Sequence, residues 1–350
     1  MKFEFSEDQR LLRDSTRDFL AAECPLDKTR RTIEHDSRGF DAATWARFAD
    51  MGYLGLRLPE AVGGQGLGMI ELAIVLEEMG RACAPGPYLD VVLAATLLDE
   101  AGGRPRLVSD VAAGRKIVTI ARDDSPYAGD ARPASRHDGG RVRGTKYFVP
   151  FAADADALLV ATPQGVALAE GPFATTPLQT LDPAQRFSRV EFDHAAELMA
   201  EPSILARLDP LMATAAAAML LGVMSRAFEI TLDYVKTRQA FGRPIGSFQA
   251  LQHRLAEMLL RVESTRSAVY RAAWSIDNAE ADAALAASSA KAYAGDASRL
   301  VCGESIQMHG GIGFTWELDL HFFFKRAKTL ECHYGSTEVQ LERALAAAGL

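Results

Sequence analysis

RQAFGRPIGSFQ, residues Arg238 to Gln249, is the stretch that decides how this chain reads. It lies between two long apolar runs of helical character, and its Phe241-Gly242 pair is turn chemistry. An arginine at a helix end, followed by such a turn, can offer its guanidinium fork to a pyrophosphate, which it matches bidentately. Gln249, where the next helix begins, can donate an amide hydrogen bond to the same group beside free helix N–H groups. A second segment has a related logic: Gln307-Met-His-Gly310-Gly311-Ile-Gly313-Phe-Thr-Trp-Glu317. Two adjacent glycines let the backbone approach a ligand that any Cβ would exclude.

Working outward, Asp209-Pro210 reads as a helix start, with Asp at the N-cap and Pro at the first helical position. A helix to about Thr237, a second from about Gln249 and a third from about Glu280 are expected, the third stopping at His309-Gly310-Gly311. Long, Ala-rich helices of this kind suggest a closely packed antiparallel bundle. From about Arg115 the character changes. KIVTIA, RVRGTKYFV, ALLVATPQGVALAE and FSRVEFD are short, rich in Val, Phe and Thr, and separated by Gly, Pro and Asp. That is an antiparallel β domain, as a barrel or a sandwich. Toward the N-terminus, Ser6 with Gln9 forms a capping-box pattern. Leu11, Leu12, Phe19 and Leu20 are expected on one buried helical face. The glycine-rich run at residues 51–68 reads as a loop in which Gly63, Gly64 and Gly66 can take positive φ. A helix over Met69–Arg81 follows and stops before the Pro-rich Ala84–Tyr88. The expectation is an α+β chain: a helical domain over 1–114, an antiparallel β domain over 115–203, and a four-helix-bundle-type domain over 204–350 that carries both special segments.

With 350 residues and 48% hydrophobic content the chain can bury a large core. A net charge of -8 argues against a nucleic-acid-binding surface, so an anionic ligand must find its cations locally, as at Arg238. The first residues lack the apolar stretch of a signal peptide, and no membrane span is expected. Cys24, Cys83, Cys302 and Cys332 form no CxxC pair; they read as buried small hydrophobes in a reduced cytoplasm, with no metal site.

The two segments, with GYLGLRLPEAVGGQGL (52–67) and IELAIVLEEMGRA (70–82), resemble the acyl-CoA dehydrogenase family, as does the helix–strand–helix order over the whole chain. The resemblance implies the family fold and an FAD lying extended across a subunit interface. By that resemblance, Arg238, Phe241 and Gln249 reach the diphosphate end of a flavin held mainly by the neighbouring subunit, and Gln307, Gly310 and Gly311 line the same end. Ser336 stands where the family has a Thr near the cofactor; a hydroxyl donor and a helix cap are both open to it. An acyl-CoA thioester is the implied substrate, and electron-transfer flavoprotein the implied electron acceptor.

The chain also departs from the family pattern. The chemistry removes a proton α to a thioester carbonyl, which calls for a carboxylate over that carbon. Most members place a Glu before a Gly-Thr near the C-terminus; here the phrase is His333-Tyr334-Gly335-Ser336-Thr337, with Tyr334 at the base position. The other position used in the family falls on Met212. A phenol, with an ordinary pKa of about 10, needs a large downward shift to act as a base, so Tyr334 reads first as a space-filling residue. The flavin-cradling loop of the family has no match in ARDDSPYAGDARPAS (121–135), and its Trp-x-Thr corresponds to Phe148-Val149-Pro150, where proline supplies neither N–H nor hydroxyl. This split resembles the non-catalytic partner in α2β2 bacterial members that act on steroid side-chain thioesters. Two other readings stand beside it: a self-sufficient homo-oligomer with Tyr334 as an atypical base, and a flavin-free interaction protein on the same fold.

Overall fold

The computed structural model describes residues 4–126 and 135–350. The chain runs through α1 (Glu7–Glu23), α2 (Leu26–His35), α3 (Ala42–Asp50), α4 (Met69–Arg81), α5 (Tyr88–Ala101) and α6 (Pro105–Ala112). The strands follow: β1 (Val118–Ala121), β2 (Arg136–Asp138), β3 (Arg141–Pro150), β4 (Ala157–Thr162), β5 (Gly165–Glu170), β6 (Ala174–Leu178) and β7 (Phe187–Ala200). Then come α7 (Ser203–Thr237), the short strands β8 (Gln239–Ala240) and β9 (Arg243–Pro244), α8 (Gln249–Asp277), α9 (Ala283–Met308), α10 (Leu320–Cys332) and α11 (Thr337–Ala347). The α+β class and the helix–strand–helix order read from the sequence are what the chain adopts.

The chain divides into two compact units, one of Met1–Thr29, Ala73–Ala84 and Ala213–Leu350, the other of Arg30–Leu72 and Pro85–Met212. In the first, α9 packs against α8, α10 and α11. Ala213, Ala272, Ala287 and Ala290 form a core of small side chains, so the Ala-rich patches do mark close helix packing. Gly222 marks the closest approach: a Cβ there would lie 1.8 Å from the Glu77 carbonyl oxygen, and one on Gly80 would lie 2.1 Å from that of Met219. Two glycines facing each other's backbones let α4 and α7 touch. Beside this crossing the buried Glu77 pairs with Arg266 and accepts from the Tyr270 hydroxyl at 2.8 Å. Arg17 grips Glu78 through two hydrogen bonds, at 3.0 and 2.7 Å. Buried carboxylates are tolerated because each finds a guanidinium.

At the N-terminus the Ser6–Gln9 capping box is present in full. The buried face of α1 is Thr16, Phe19 and Leu20, whereas Leu11 is 68% exposed, against expectation. At about 100° per residue Leu11 is turned away from the stripe that Leu12 and Phe19 share.

In the second unit the sheet order is β1-β4-β5-β7-β3-β2, with β6 also on β7. The long β7 organises it, pairing with β5 through its C-terminal part and with β3 and β6 through the remainder. The expectation of a wholly antiparallel domain needs one correction: β1 pairs with β4 in parallel. All four residues of β1 are buried, the near-continuous apolar pattern that goes with a parallel neighbour rather than alternation. In the loop at 51–68, Gly63 and Gly66 take φ of +85° and +62°, but Gly64 does not need positive φ. Its Cβ would lie 2.0 Å from the Leu58 carbonyl oxygen, so it is glycine for close approach.

The start of α7 differs from expectation. The helix begins at Ser203 and carries Pro210 inside it. Burial of Ile204 and Leu208 drives the added turns, which offsets the lost hydrogen bond at Pro210. Asp209 is therefore no N-cap; it pairs with Arg122 at 2.7 Å. By length and composition α7 alone among the described helices is apolar enough to cross a membrane, and 94% of its most apolar window is buried inside the protein. All four cysteines are free, and Cys332 is exposed, against the expectation that all four are buried.

Candidate functional site

Arg238 extends α7 by one hydrogen bond, its N–H donating to the Tyr234 carbonyl at 2.8 Å. The chain then folds into a hairpin of β8 and β9, closed at its base by Ile245 N–H to the Arg238 carbonyl at 2.8 Å. Phe241 and Gly242 occupy the tip with φ of +53° and +78°, the left-handed pair that a type I′ hairpin demands. Glycine takes this at no cost; Phe241 does so under strain and is 94% exposed. Arg243, which the sequence pattern does not single out, lies with its guanidinium 4.1 Å from the centroid of the Phe248 ring. Gln249 opens α8 and is exposed. Among the described residues, neither the Arg238 guanidinium nor the Gln249 amide has a side-chain partner.

The second segment lies at the far end of α9. Gln307 is exposed on its last turn, and His309 caps the helix. Gly310 takes φ of +62°, and a Cβ on Gly310 or Gly311 would meet nothing of this chain within 4 Å. Gly313 is different: its Cβ would lie 2.3 Å from the Ile306 carbonyl oxygen, so it serves the packing of the turn. Ile312, Phe314 and Trp316 are exposed, and Lys325 lies over the Trp316 ring at 4.5 Å.

Tyr234 joins the two segments. Its ring stacks on His309 at 4.1 Å between centroids, and its hydroxyl donates to the His309 carbonyl at 3.5 Å. The buried His309 faces the Ser305 carbonyl through Nδ1 at 2.7 Å. A carbonyl only accepts, so Nδ1 carries the proton. Burial holds the His309 pKa below its ordinary value, against that same backbone hydrogen bond. The structure thus brings the Arg238 hairpin and the Gly310-Gly311 turn to the same ends of two adjacent helices.

Tyr334 is 7% exposed, with φ of +59°, in the turn between α10 and α11. Its neighbour Glu331 is buried and pairs with Lys328 at 2.5 Å. Ser336 is the N-cap of α11, its side chain accepting from Val339 N–H at 3.5 Å, which realises the capping alternative. Met212 is 1% exposed, its sulfur 3.9 Å from an Arg122 nitrogen. Phe148 sits at a register shift in β3 with φ of +49°, 36% exposed, and its ring meets that of Phe187 edge-on. The Pro150 carbonyl accepts from the Thr119 hydroxyl at 2.8 Å. Of ARDDSPYAGDARPAS, residues 127–134 lie outside the described residues. What is described holds the buried Lys146, which pairs with Asp124 at 2.9 Å and donates to the Arg122 carbonyl at 2.9 Å. Burial lowers the Lys146 pKa, and Asp124 opposes it.

A helix–sheet–helix chain with these two turns is of the acyl-CoA dehydrogenase type, and comparison bears that out. Residues 6–104 match the model of the acyl-CoA dehydrogenase N-terminal domain and residues 210–349 that of the C-terminal domain. The acyl-CoA dehydrogenase IpdE2 of Mycobacterium tuberculosis is 31% identical over 92% of this chain and 91% of its own length. The chain belongs to the acyl-CoA dehydrogenase family, a family of oxidoreductases. Among solved structures, a steroid acyl-CoA dehydrogenase variant, Tcur3481-Tcur3483, superposes with a TM-score of 0.91 at 30% identity, covering 98% of each chain. The ChsE4-ChsE5 complex from Mycobacterium tuberculosis does so with a TM-score of 0.91 at 30% identity, over 100% of this chain and 99% of that one.

Proposed function

We propose that this chain is a subunit of an FAD-dependent acyl-CoA dehydrogenase, supplying the dinucleotide-gripping half of an interfacial FAD site to a catalytic partner. The observation that carries the reading is a contrast within the chain. Arg238, Phe241, Gln249, Gln307, Gly310 and Gly311 stand exposed at the ends of α7, α8 and α9, while the two family base positions hold Tyr334 and the buried Met212. The first set fits a diphosphate: a guanidinium without a partner among the described residues, an amide donor at a helix N-terminus, and glycines with open space where a Cβ would point. Pro150 offers a flavin ring system neither an N–H nor a hydroxyl donor, and its carbonyl accepts from the Thr119 hydroxyl. Ser336 caps α11 through its oxygen, which accepts from Val339 N–H, and its place in the cofactor set rests on the resemblance alone.

An FAD held at its diphosphate by Arg238 and Gln249 would supply a hydride acceptor for the β hydrogen of the acyl-CoA. This chain's own residues orient the dinucleotide, and the partner holds the base and the flavin bed. The exposed Phe241, Phe314 and Trp316 suit a covered interface, as in an α2β2 assembly. The similar ChsE4-ChsE5 structure is a complex named for two components, and Tcur3481-Tcur3483 is a steroid enzyme; both support this reading over a homo-oligomer. A steroid side-chain thioester is the substrate class, electron-transfer flavoprotein the electron acceptor, and the cytoplasm the setting.

The test is purification of the chain alone and co-expressed with a partner that carries the Glu-Gly-Thr phrase. The pair should be yellow and active, the lone chain colourless and inactive. Stoichiometric FAD with dehydrogenase activity in the lone chain overturns the proposal.

A further inference from the structure

Lys291 is the only charged residue between Asp282 and Asp296 on α9, and its side chain is fully buried. Its ammonium donates to the Glu331 carbonyl at 2.9 Å and to the Gly335 carbonyl at 3.0 Å. Those carbonyls lie on either side of Tyr334, so a cation from a third helix closes the turn between α10 and α11. The Tyr334 carbonyl accepts from Nε2 of Gln340, also fully buried, at 2.8 Å. Three carbonyls, one from the last turn of α10 and two from the turn that follows it, therefore converge on two interior side chains.

This convergence has something to oppose. Tyr334 is held in the left-handed region, which a bulky L residue avoids. Gly335 follows at φ of +101°, where a Cβ would lie 2.6 Å from Gln340 Nε2, so the turn wraps tightly around its donors. Burial pushes the Lys291 amine down to about 8, with Cys332 and Glu331 of α10 opposing that shift and Arg343 of α11 adding to it. The ammonium is still the major form at neutral pH.

We propose that Lys291 is a positioning residue: by clamping the carbonyls of Glu331 and Gly335 it holds residue 334 in the left-handed conformation and so fixes where the Tyr334 ring stands. The role goes beyond the FAD reading and does not depend on which subunit binds flavin.

Lys291→Met keeps length and apolar volume and removes the donors. Amide hydrogen exchange of the full-length variant should quicken at least about ten-fold over residues 333–340, while the interior amides of α8 keep their rates. In a Tyr334→Gly background, where the strain is gone, the same substitution should quicken that segment by less than about three-fold. Unchanged exchange in Lys291→Met, or equal acceleration in both backgrounds, overturns the proposal. Should Lys291→Met fail to fold, Lys291→Gln, which keeps only shorter neutral donors, is read against the same two outcomes.

Discussion

The phenol of Tyr234 lies stacked on the imidazole of His309, with 4.1 Å between ring centroids and 25° between planes. Tyr234 is one helical turn before Arg238, and His309 is the residue before Gly310. One ring pair therefore sets the spacing between the two halves of the proposed dinucleotide grip. Tyr234→Ala removes the stacked ring and the hydroxyl bond to the His309 carbonyl together. We expect stability to fall by about 3 kcal/mol, at the low end for truncation of a largely buried aromatic residue. FAD should be lost from the assembled complex at denaturant concentrations where the variant is still folded. Flavin retention equal to wild type, followed by absorbance, would separate Tyr234 from the site.

Arg238 gives the sharpest binding prediction because folding does not use its guanidinium. Arg238→Ala should leave the stability of the chain within about 0.5 kcal/mol, as for other exposed positions. Losing a charge-assisted bidentate contact should weaken FAD in the complex by about 1.5–3 kcal/mol, roughly a ten- to 150-fold rise in Kd. Titration of the apo complex with FAD reads the second effect and thermal unfolding the first.

Phe241 separates stability from binding in the opposite direction. Its φ of +53° is one that asparagine tolerates better, and the ring is almost wholly exposed. Phe241→Asn should therefore hold or raise the Tm of the lone chain while lowering FAD retention in the complex. A fall in Tm would show that the ring supports the fold through its edge contact with Phe248.

Whether a feature is legible in the sequence depends on whether it leaves a local pattern. The capping box at Ser6 and the helix bounds at Met69–Arg81, Thr237 and Gln249 follow from short-range rules about caps, turns and glycines. Arg238 and the Gly310-Gly311 turn are legible for the same reason, as turn chemistry beside helix ends. Pro210 misleads because the rule for proline at a first turn is statistical, and burial of Ile204 and Leu208 outweighs it. The parallel pairing of β1 is non-local: the four buried residues VTIA fit a strand covered on both faces, but nothing in them names β4 as the partner or sets its direction. Lys291 leaves only a faint trace, one charge in an otherwise uncharged Ala-rich run, and its partners lie 40 and 44 residues away. Tyr234 looks like any helical tyrosine until the fold places His309 beside it.

The crossing of α4 and α7 predicts a severe substitution away from the site. Gly222→Ala would drive a methyl group to within 1.8 Å of the Glu77 carbonyl oxygen, which backbone on both sides prevents from yielding. Overpacking of this kind should cost at least about 2 kcal/mol, seen as a lower urea midpoint. An unchanged midpoint would mean that α4 and α7 separate freely at this crossing, with α4 held instead by the pairing of Glu77 with Arg266 and Tyr270 of α8.

Lys291 makes the stability of the chain depend on pH in a defined direction. Its pKa falls from 10.5 to about 8 on folding because burial penalises the ammonium. Between those values the unfolded chain holds the proton and the folded chain has released it, so folding releases protons there. Stability contributed by this group therefore rises as pH climbs from about 8 to 10.5, and it is flat below about 8, where both states are protonated. Urea unfolding across that range should show the rise in wild type, superposed on the titration of other groups, and Lys291→Met should lack this component. A difference curve between the two proteins that does not change with pH would mean that the Lys291 amine is solvated more fully than its burial implies.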